Sequence, residues 1–203
     1  MDKLKAFEEL GLTPLNGDIT PEQIAKVKGL GCLRDKRYPD VFNIRTITGN
    51  GKITTEVAKA IIGDKTPLYK DCGLVCDKAC CKGDDKTGML LFPNEETTLK
   101  VIEENGNRLC VCGGRCNRAD RPLSCVIFPF FPYVNENGKI EAVLDSRGAG
   151  VCPLVSLQDD VMFNKAFIRR VRKLGRFLMK DDECRRFLVE TSREIDKLNL
   201  FIK

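Results

Sequence analysis

CGLVCDKACC (residues 72–81) and CVCGGRC (residues 110–116) together hold seven cysteines in two short stretches of the chain. Cys125 and Cys152 follow, so nine of the eleven cysteines lie in one block, and the chain contains no histidine. A dense block of thiols without imidazoles favours a soft metal bound through thiolate. Metal–thiolate bonds would also organise a region where glycines, prolines and cysteines leave little room for long secondary structure.

The candidate metal ligands are the nine cysteines of this block, namely Cys72, Cys76, Cys80, Cys81, Cys110, Cys112, Cys116, Cys125 and Cys152. Zinc and iron–sulfur clusters are the usual occupants of such a set, whereas calcium and magnesium prefer oxygen ligands. The nine thiols can fill two four-cysteine zinc sites, hold one cluster and one zinc ion, or share thiolates in a binuclear site. A nearby carboxylate can also replace a thiolate, the candidates being Asp71, Asp77, Asp84 and Asp85.

The spacing within the first stretch leaves two geometries open. Cys72, Cys76 and Cys80 are four residues apart, so they would share one side of a helix if the segment is helical. Cys81 must then point elsewhere, which suits two neighbouring sites. A non-helical loop that wraps one ion is the alternative. The spacing is neither that of a zinc knuckle nor that of the cluster in radical enzymes that use S-adenosylmethionine.

The composition is that of a globular protein, with 42% hydrophobic and 31% charged residues. No stretch approaches the roughly 20 apolar residues that a membrane-spanning helix needs, so we expect no membrane association. The chain begins without the apolar segment of a secretory signal. These features predict a cytoplasmic protein with reduced thiols, and they disfavour disulfides.

The absence of histidine excludes serine–histidine–aspartate and cysteine–histidine catalysis, and also histidine-ligated zinc or haem. Metal binding, cysteine redox chemistry and methyl transfer remain. The formal charge of +5 can balance thiolates, and nucleic-acid binding is disfavoured because the chain has no tryptophan, few tyrosines and no recognition motif. One basic run is either a solvated helix face or a docking surface for an acidic protein partner; it comprises Arg169, Arg170, Arg172, Lys173 and Arg176.

We expect an α+β fold in one compact unit with three parts. Residues 1–66 form an N-terminal α/β segment, residues 67–155 a small, irregular, cysteine-rich metal-binding core with short strands, and residues 156–203 a pair of helices packed on that core. In the first part we expect a helix at about 21–28, a strand at 41–48, and a short helix that begins at Thr54 or Thr55 and ends near Gly63.

In the second part the likeliest strands by composition are 88–92 and 139–144, with a hairpin loop at 135–138. In the third part Ser156 is a candidate N-cap, and a second helix begins near Asp181. The apolar stripes of the two helices are Phe163, Phe167, Val171, Leu174 and Leu178, and then Cys184, Phe187, Leu188, Thr191, Ile195 and Leu198. Cys184 lies on an apolar stripe, so we interpret it, like Cys32, as a small buried residue rather than a ligand.

The cysteine order resembles that of a known bacterial family. The doublet Cys80-Cys81, the following cysteine pair, the segment RPLSCVIFP (residues 121–129) and Cys152-Pro153 resemble the CxxCxxCC family of zinc- or iron-chelating domains. The segment MLLFPNEE (residues 89–96) also lies where that family has a strand leading to a proline and an acidic residue. The resemblance covers residues 71–154. This chain departs in its wider first spacings and in one additional cysteine, Cys110 or Cys112.

The resemblance implies metal chelation, and flagellin lysine N-methylases are said to carry a related domain. The sequence therefore predicts a metal-binding protein with a poly-cysteine site for zinc, as two ions, or for an iron–sulfur cluster. The alternative is a metal-dependent enzyme, either a redox protein or one similar to a protein lysine N-methylase. Outside the metal site we expect Arg121 to orient a thiolate or a backbone carbonyl, with Pro122 fixing the approach to Cys125.

Overall fold

The computed structural model describes residues 55–82, 88–104, 106–114, 116–117, 120–157 and 160–202. The helix expected at 21–28, the strand expected at 41–48, Cys32, Asp84 and Asp85 lie outside these ranges. The described residues form helices together with antiparallel strands, which confirms the α+β class. None of the helices in the described part of the chain is long and apolar enough to cross a membrane.

Six α-helices and five strands make up the described part of the chain. The helices are α1 (Thr55–Ile62), α2 (Gly73–Cys76), α3 (Leu123–Ile127), α4 (Pro153–Ser156), α5 (Lys165–Leu178) and α6 (Asp182–Ile202). The strands are β1 (Met89–Leu90), β2 (Lys100–Glu104), β3 (Asn107–Val111), β4 (Phe130–Val134) and β5 (Ile140–Leu144). Short 3₁₀ turns occur at Ala79–Cys81 and Ser146–Gly148. One antiparallel sheet has the order β1–β3–β2, and the other pairs β4 with β5.

The apolar core lies around α5, between α1, the β4–β5 sheet and α6. Phe167, Val171 and Leu174 on α5 have no solvent exposure, so each contributes on the order of 1.5–3 kcal/mol by leaving water. Gly175 lets the helix lie directly on the sheet, because an added Cβ there would stand 2.6 Å from Ile140. Phe92 and α3 also belong to this core. Burial of apolar side chains stabilises this part of the described structure.

The two C-terminal helices were expected, but α5 begins later than the sequence indicates. The expected N-cap, Ser156, is instead the last residue of α4, and its hydroxyl donates to the Ala149 carbonyl at 3.2 Å. Asn164 caps α5 because its side-chain oxygen accepts hydrogen bonds from the backbone of Ala166 at 3.0 Å and of Phe167 at 3.4 Å. The Asn164 backbone N–H also donates to the Pro67 carbonyl at 2.7 Å, which holds the start of α5 against the cysteine-rich segment.

Helix α6 agrees closely with the expected second helix. Asp181 precedes it, and its carboxylate accepts from the Cys184 backbone at 2.9 Å, so the helix begins with an acidic cap. Cys184, Leu188 and Ile195 are buried in the apolar core, whereas Leu198 is exposed. The apolar stripe therefore ends about one turn earlier than the sequence pattern suggests.

The strands are only partly those expected from composition. Strands β1 and β5 lie within the expected segments, and the loop at 135–138 joins β4 to β5 as a hairpin. Strands β2, β3 and β4 were not predicted. Strand β4 contains Pro132, which is tolerated because β4 pairs on one side only, with β5.

Candidate metal centre

The first cysteine stretch forms two short turns rather than one helix. Cys72 precedes α2, and Cys76 ends it with its thiol donating to the Cys72 carbonyl at 3.4 Å. Asp77 and Lys78 then adopt left-handed backbone conformations, with φ of 48° and 53°, which breaks the helix. Cys80 and Cys81 follow in a separate 3₁₀ turn. Cys72, Cys76 and Cys80 therefore do not share one side of a continuous helix.

The second stretch leaves the first sheet and reverses direction. Cys110 lies on the central strand β3, opposite Met89 of β1 and Val101 of β2. Cys112 comes just after the strand, and Gly113 and Gly114, both with positive φ, bring the chain round to Cys116. Strand pairing in the sheet thus sets the position of Cys110. Cys112 lies just before the glycine turn, and Cys116 lies after it.

Helix α3 and the turn before α4 supply the last two cysteines. Cys125 lies in the middle of α3, whose Leu123 and Ile127 are buried in the apolar core. Cys152 precedes α4 and is buried with Leu68 and Leu154 in a small second cluster, against which Cys72 packs. Helix α3 therefore connects the thiols to the apolar core.

The two cysteine stretches touch at Gly114. A Cβ added to this glycine would lie 2.3 Å from the carbonyl oxygen of Cys81, well inside contact distance. The backbone of the glycine turn therefore packs directly on the turn that carries Cys80 and Cys81. Residues about 30 positions apart in sequence are brought together by a contact that requires glycine.

Electrostatic interactions between the thiols divide them into two neighbouring groups. The outer group comprises Cys72, Cys76, Cys80, Cys81 and Cys152, and the inner group comprises Cys110, Cys112, Cys116 and Cys125. Burial raises the pKa of Cys125 strongly, and the charges of Cys112, Cys116, Cys110 and Cys80 raise it further. Cys80 is thus the thiol through which the outer group adjoins the inner one.

The outer group shows the same mutual influence. Burial raises the pKa of Cys80 to about 12, with further contributions from the charge of Cys81 and a hydrogen bond to it, and from Cys72 and Cys152. Burial likewise raises the pKa of Cys72, which the charges of Asp71, Cys76 and Cys152 raise further. Cys80 is nevertheless the exposed member among the ten described cysteines.

Neighbouring donors favour the thiolate form in the inner group. Burial raises the pKa of Cys116, and the Arg121 guanidinium opposes this through its charge and a hydrogen bond. This contact agrees with the orienting role expected for Arg121. Burial also raises the pKa of Cys110, and a hydrogen bond from Thr97 opposes it. Thr97 could not be predicted to act here, because it precedes Cys110 by thirteen residues and pairing of β2 with β3 is needed to bring it near.

The thiols are neighbours without forming a complete ligand shell. In the described ranges no three cysteine, aspartate or glutamate side chains already converge closely enough to hold a metal ion, and no disulfide joins any of the ten described cysteines. The donor chemistry fits zinc or an iron–sulfur cluster, since the outer group has five thiols and the inner group has four. Burial raises the pKa of several of these thiols, among them Cys80 and Cys125, so metal binding there would release protons and draw the sulfurs together.

Carboxylates and aromatic residues near the thiols have other contacts. Asp71 accepts a hydrogen bond from the Gly73 backbone at 2.9 Å, and Asp77 pairs with Lys82. Phe128 packs beside the Cys152 cluster and the backbone of Gly148, whereas Phe130 and Phe131 lie in the apolar core.

The basic run on α5 is partly built into the fold. Arg169, Lys173 and Arg176 are exposed, whereas Arg170 and Arg172 are half-buried. Arg170 donates to the Ile62 carbonyl at 2.7 Å and so holds the end of α1 against α5.

Cys184 lies apart from both groups. It is 2% exposed within the apolar core, and its pKa is raised to about 12 by burial and by Asp181, with no cysteine among the causes. This placement agrees with its interpretation as a buried core residue.

Comparison with known proteins does not assign this site. The sequence matches no family model and no curated protein, and no solved structure matches the fold.

Proposed function

We propose that this protein binds zinc or an iron–sulfur cluster through the outer and inner cysteine groups. The observation that carries the proposal is the approach of four chain segments that bear nine thiols: Cys72 packs against the Cys152 cluster, Gly114 packs on Cys81, and burial raises the pKa of Cys125 with further contributions from Cys112, Cys116, Cys110 and Cys80. The Gly114–Cys81 contact is not needed to bury apolar surface, and the Arg121 guanidinium also lowers the pKa of Cys116 against the effect of burial. Two zinc ions, or one cluster with or without zinc, match the number of thiols. The resemblance to the CxxCxxCC family points the same way.

The proposal places the protein in the cytoplasm, where thiols stay reduced. The alternative function is a metal-dependent enzyme, and exposed Cys80 favours it, because an exchangeable ligand at the surface would give a substrate access to the metal. Reversible reduction of a bound cluster, or transfer of a methyl group to a protein lysine, would distinguish this enzyme from a structural site. An acidic protein partner at Arg169, Lys173 and Arg176 remains a separate proposal.

Element analysis of protein purified without oxygen or chelators tests the main proposal. We expect one to two equivalents of zinc, or iron and acid-labile sulfide with a brown colour. Less than about half an atom of zinc or iron per folded chain would contradict it, since a site that supports folding stays loaded.

Cysteine substitutions show which thiols hold the metal. Cys125→Ser should lower both the metal content and the melting temperature, because ligation and folding are linked. Cys184→Ser is the control, since it replaces a cysteine on a helix of the apolar core but should leave the metal content unchanged. Equal metal loss in the two variants would contradict the grouping of the thiols.

A further inference from the structure

Glu95 is a buried carboxylate at the junction of the first sheet and α3. Its side chain is 1% exposed. One carboxylate oxygen accepts a hydrogen bond from the Phe92 backbone at 3.0 Å, and the other accepts from the Leu123 backbone at 2.7 Å. Leu123 is the first residue of α3, so Glu95 caps this helix from 28 residues away in sequence. Burying a charged group is costly unless it is hydrogen-bonded, and these two bonds meet that requirement.

Two more hydrogen bonds link the same parts of the chain. The Arg108 guanidinium, on β3, donates to the Glu95 carbonyl at 3.1 Å. The Ser124 hydroxyl, on α3, donates to the Leu90 carbonyl of β1. Arg108 is two residues before Cys110, and Ser124 directly precedes Cys125. Glu95 therefore contacts Leu123, near Cys125, and Arg108, near Cys110, while Ser124 ties α3 to β1, the strand that pairs with Cys110.

We propose that Glu95 is a positioning residue for the inner group: it keeps α3, with Cys125, against the strands β1 and β3, with Cys110, so that one metal ion can reach both thiols. The inference rests on the proposed metal binding. Leu123 and Ile127 anchor helix α3 in the apolar core, but the helix spans five residues and its N-cap, Pro122, makes no side-chain hydrogen bond, so Glu95 supplies the bond to its first backbone N–H. Residues that orient metal ligands typically change metal affinity 10- to 100-fold when they are replaced.

Glu95→Gln tests the proposal with minimal change in shape. The amide keeps one accepting oxygen but places an NH₂ group, which cannot accept, against one of the two backbone donors. Cobalt(II) added to metal-free protein is the probe, because its thiolate-to-metal absorbance increases with the number of bound thiolates. We expect the absorbance to fall by up to half, as the inner group is lost and the outer group retained, and the affinity of the inner group to weaken by about 10- to 100-fold.

Two controls separate positioning from general stability. Glu96→Gln changes the exposed neighbour and should behave as the wild type. Val171→Ala removes buried volume from the apolar core on α5, so it should lower the melting temperature without lowering the cobalt absorbance of the folded protein. Wild-type absorbance and affinity in Glu95→Gln, even with a lower melting temperature, would overturn the proposal.

If Glu95→Gln does not fold, Ser124→Ala tests the proposal in its place. It removes only the hydroxyl bonded to Leu90 and should produce a smaller loss of the same absorbance. Unchanged absorbance in this variant would overturn the proposal in that case. Failure of wild-type protein to bind cobalt would instead contradict metal binding itself, so the two failures are distinguishable.

Discussion

The apolar core and the thiol region are stabilised in different ways. We use thiol region for residues 67–82, the first sheet, Cys112 and Cys116 after it, Cys125 of α3 and the turn around Cys152. The apolar core buries Phe167, Val171 and Leu188 completely and includes two long helices. The thiol region has two one-turn helices, a three-stranded sheet and a second cluster with three buried residues. Its exposed apolar side chains include Tyr69, Leu74 and Val75. Burial of apolar side chains is therefore enough to stabilise the apolar core. The thiol region buries few apolar side chains, and it has nine thiols in place of the further hydrophobic residues that its stability would otherwise need.

Metal removal should have the largest effect and should act on the thiol region alone. Structural zinc contributes on the order of 10 kcal/mol to the folding of small zinc domains. Chelation should therefore accelerate amide hydrogen exchange in residues 72–81 and 107–114 and leave residues 165–178 protected. Hydrogen exchange with mass spectrometry measures this. Equal acceleration in α5 would show that the two regions form one cooperative unit.

Phe167→Ala should have the next largest effect and should act on the apolar core. The ring is fully buried and contacts Phe130 with a centroid separation of 6.0 Å. Its removal should lower the free energy of unfolding by about 3–5 kcal/mol, without changing the metal content of the folded protein. Urea denaturation and element analysis provide the two measurements. Arg169→Ala, on the exposed face of the same helix, is the control and should change the unfolding free energy little.

Gly114→Ala should have the smallest effect and should report on the contact between the two cysteine stretches. Alanine at either Gly113 or Gly114 meets a positive φ, which costs about 1–2 kcal/mol. At Gly114 the new Cβ would also overlap the Cys81 carbonyl, whereas at Gly113 it meets open space. We therefore expect about tenfold weaker zinc binding, or 1.4 kcal/mol, for Gly114→Ala relative to Gly113→Ala. Competition with a chromophoric chelator measures this, and equal affinities would contradict the packing.

The parts of the fold that could be predicted are those with a local signal. Helix α1, helix α6 and the 135–138 hairpin follow from capping residues, periodicity and turn residues. The strands β2 and β3 were missed because their less exposed residues are adjacent rather than alternating: Val101 and Ile102 are half-buried, and Cys110 and Val111 are buried. Strand β4 was missed because it contains Pro132, and proline disfavours a strand assignment, although its lack of an N–H does no harm in a two-stranded sheet.

The candidate site could be predicted in residue type but not in arrangement. The cysteine block identified the ligands to be tested and Cys184 as separate from them. It could not indicate that Cys80 adjoins both groups, nor that the left-handed Asp77 and Lys78 break the first stretch. Glu95, Thr97 and Gly114 were missed because their importance depends on contacts with residues far away in sequence. Ser156 was wrongly predicted as the N-cap of α5 for a related reason. Asn164 could be favoured as that N-cap only once its backbone bond to Pro67 was known.

The bond between Asn164 and Pro67 has a consequence for the order of folding. The Asn164 side chain also contacts the Leu68 carbonyl, 96 residues away. When these two contacts form, the chain between them makes one loop that contains the whole thiol region. Loop-closure entropy for a flexible segment of that length amounts to about 4 kcal/mol. Under the proposed function, ions bound by the enclosed cysteines would divide this circuit into short loops before its ends must meet. A chain that captures its ions early would therefore refold faster than one that receives them last.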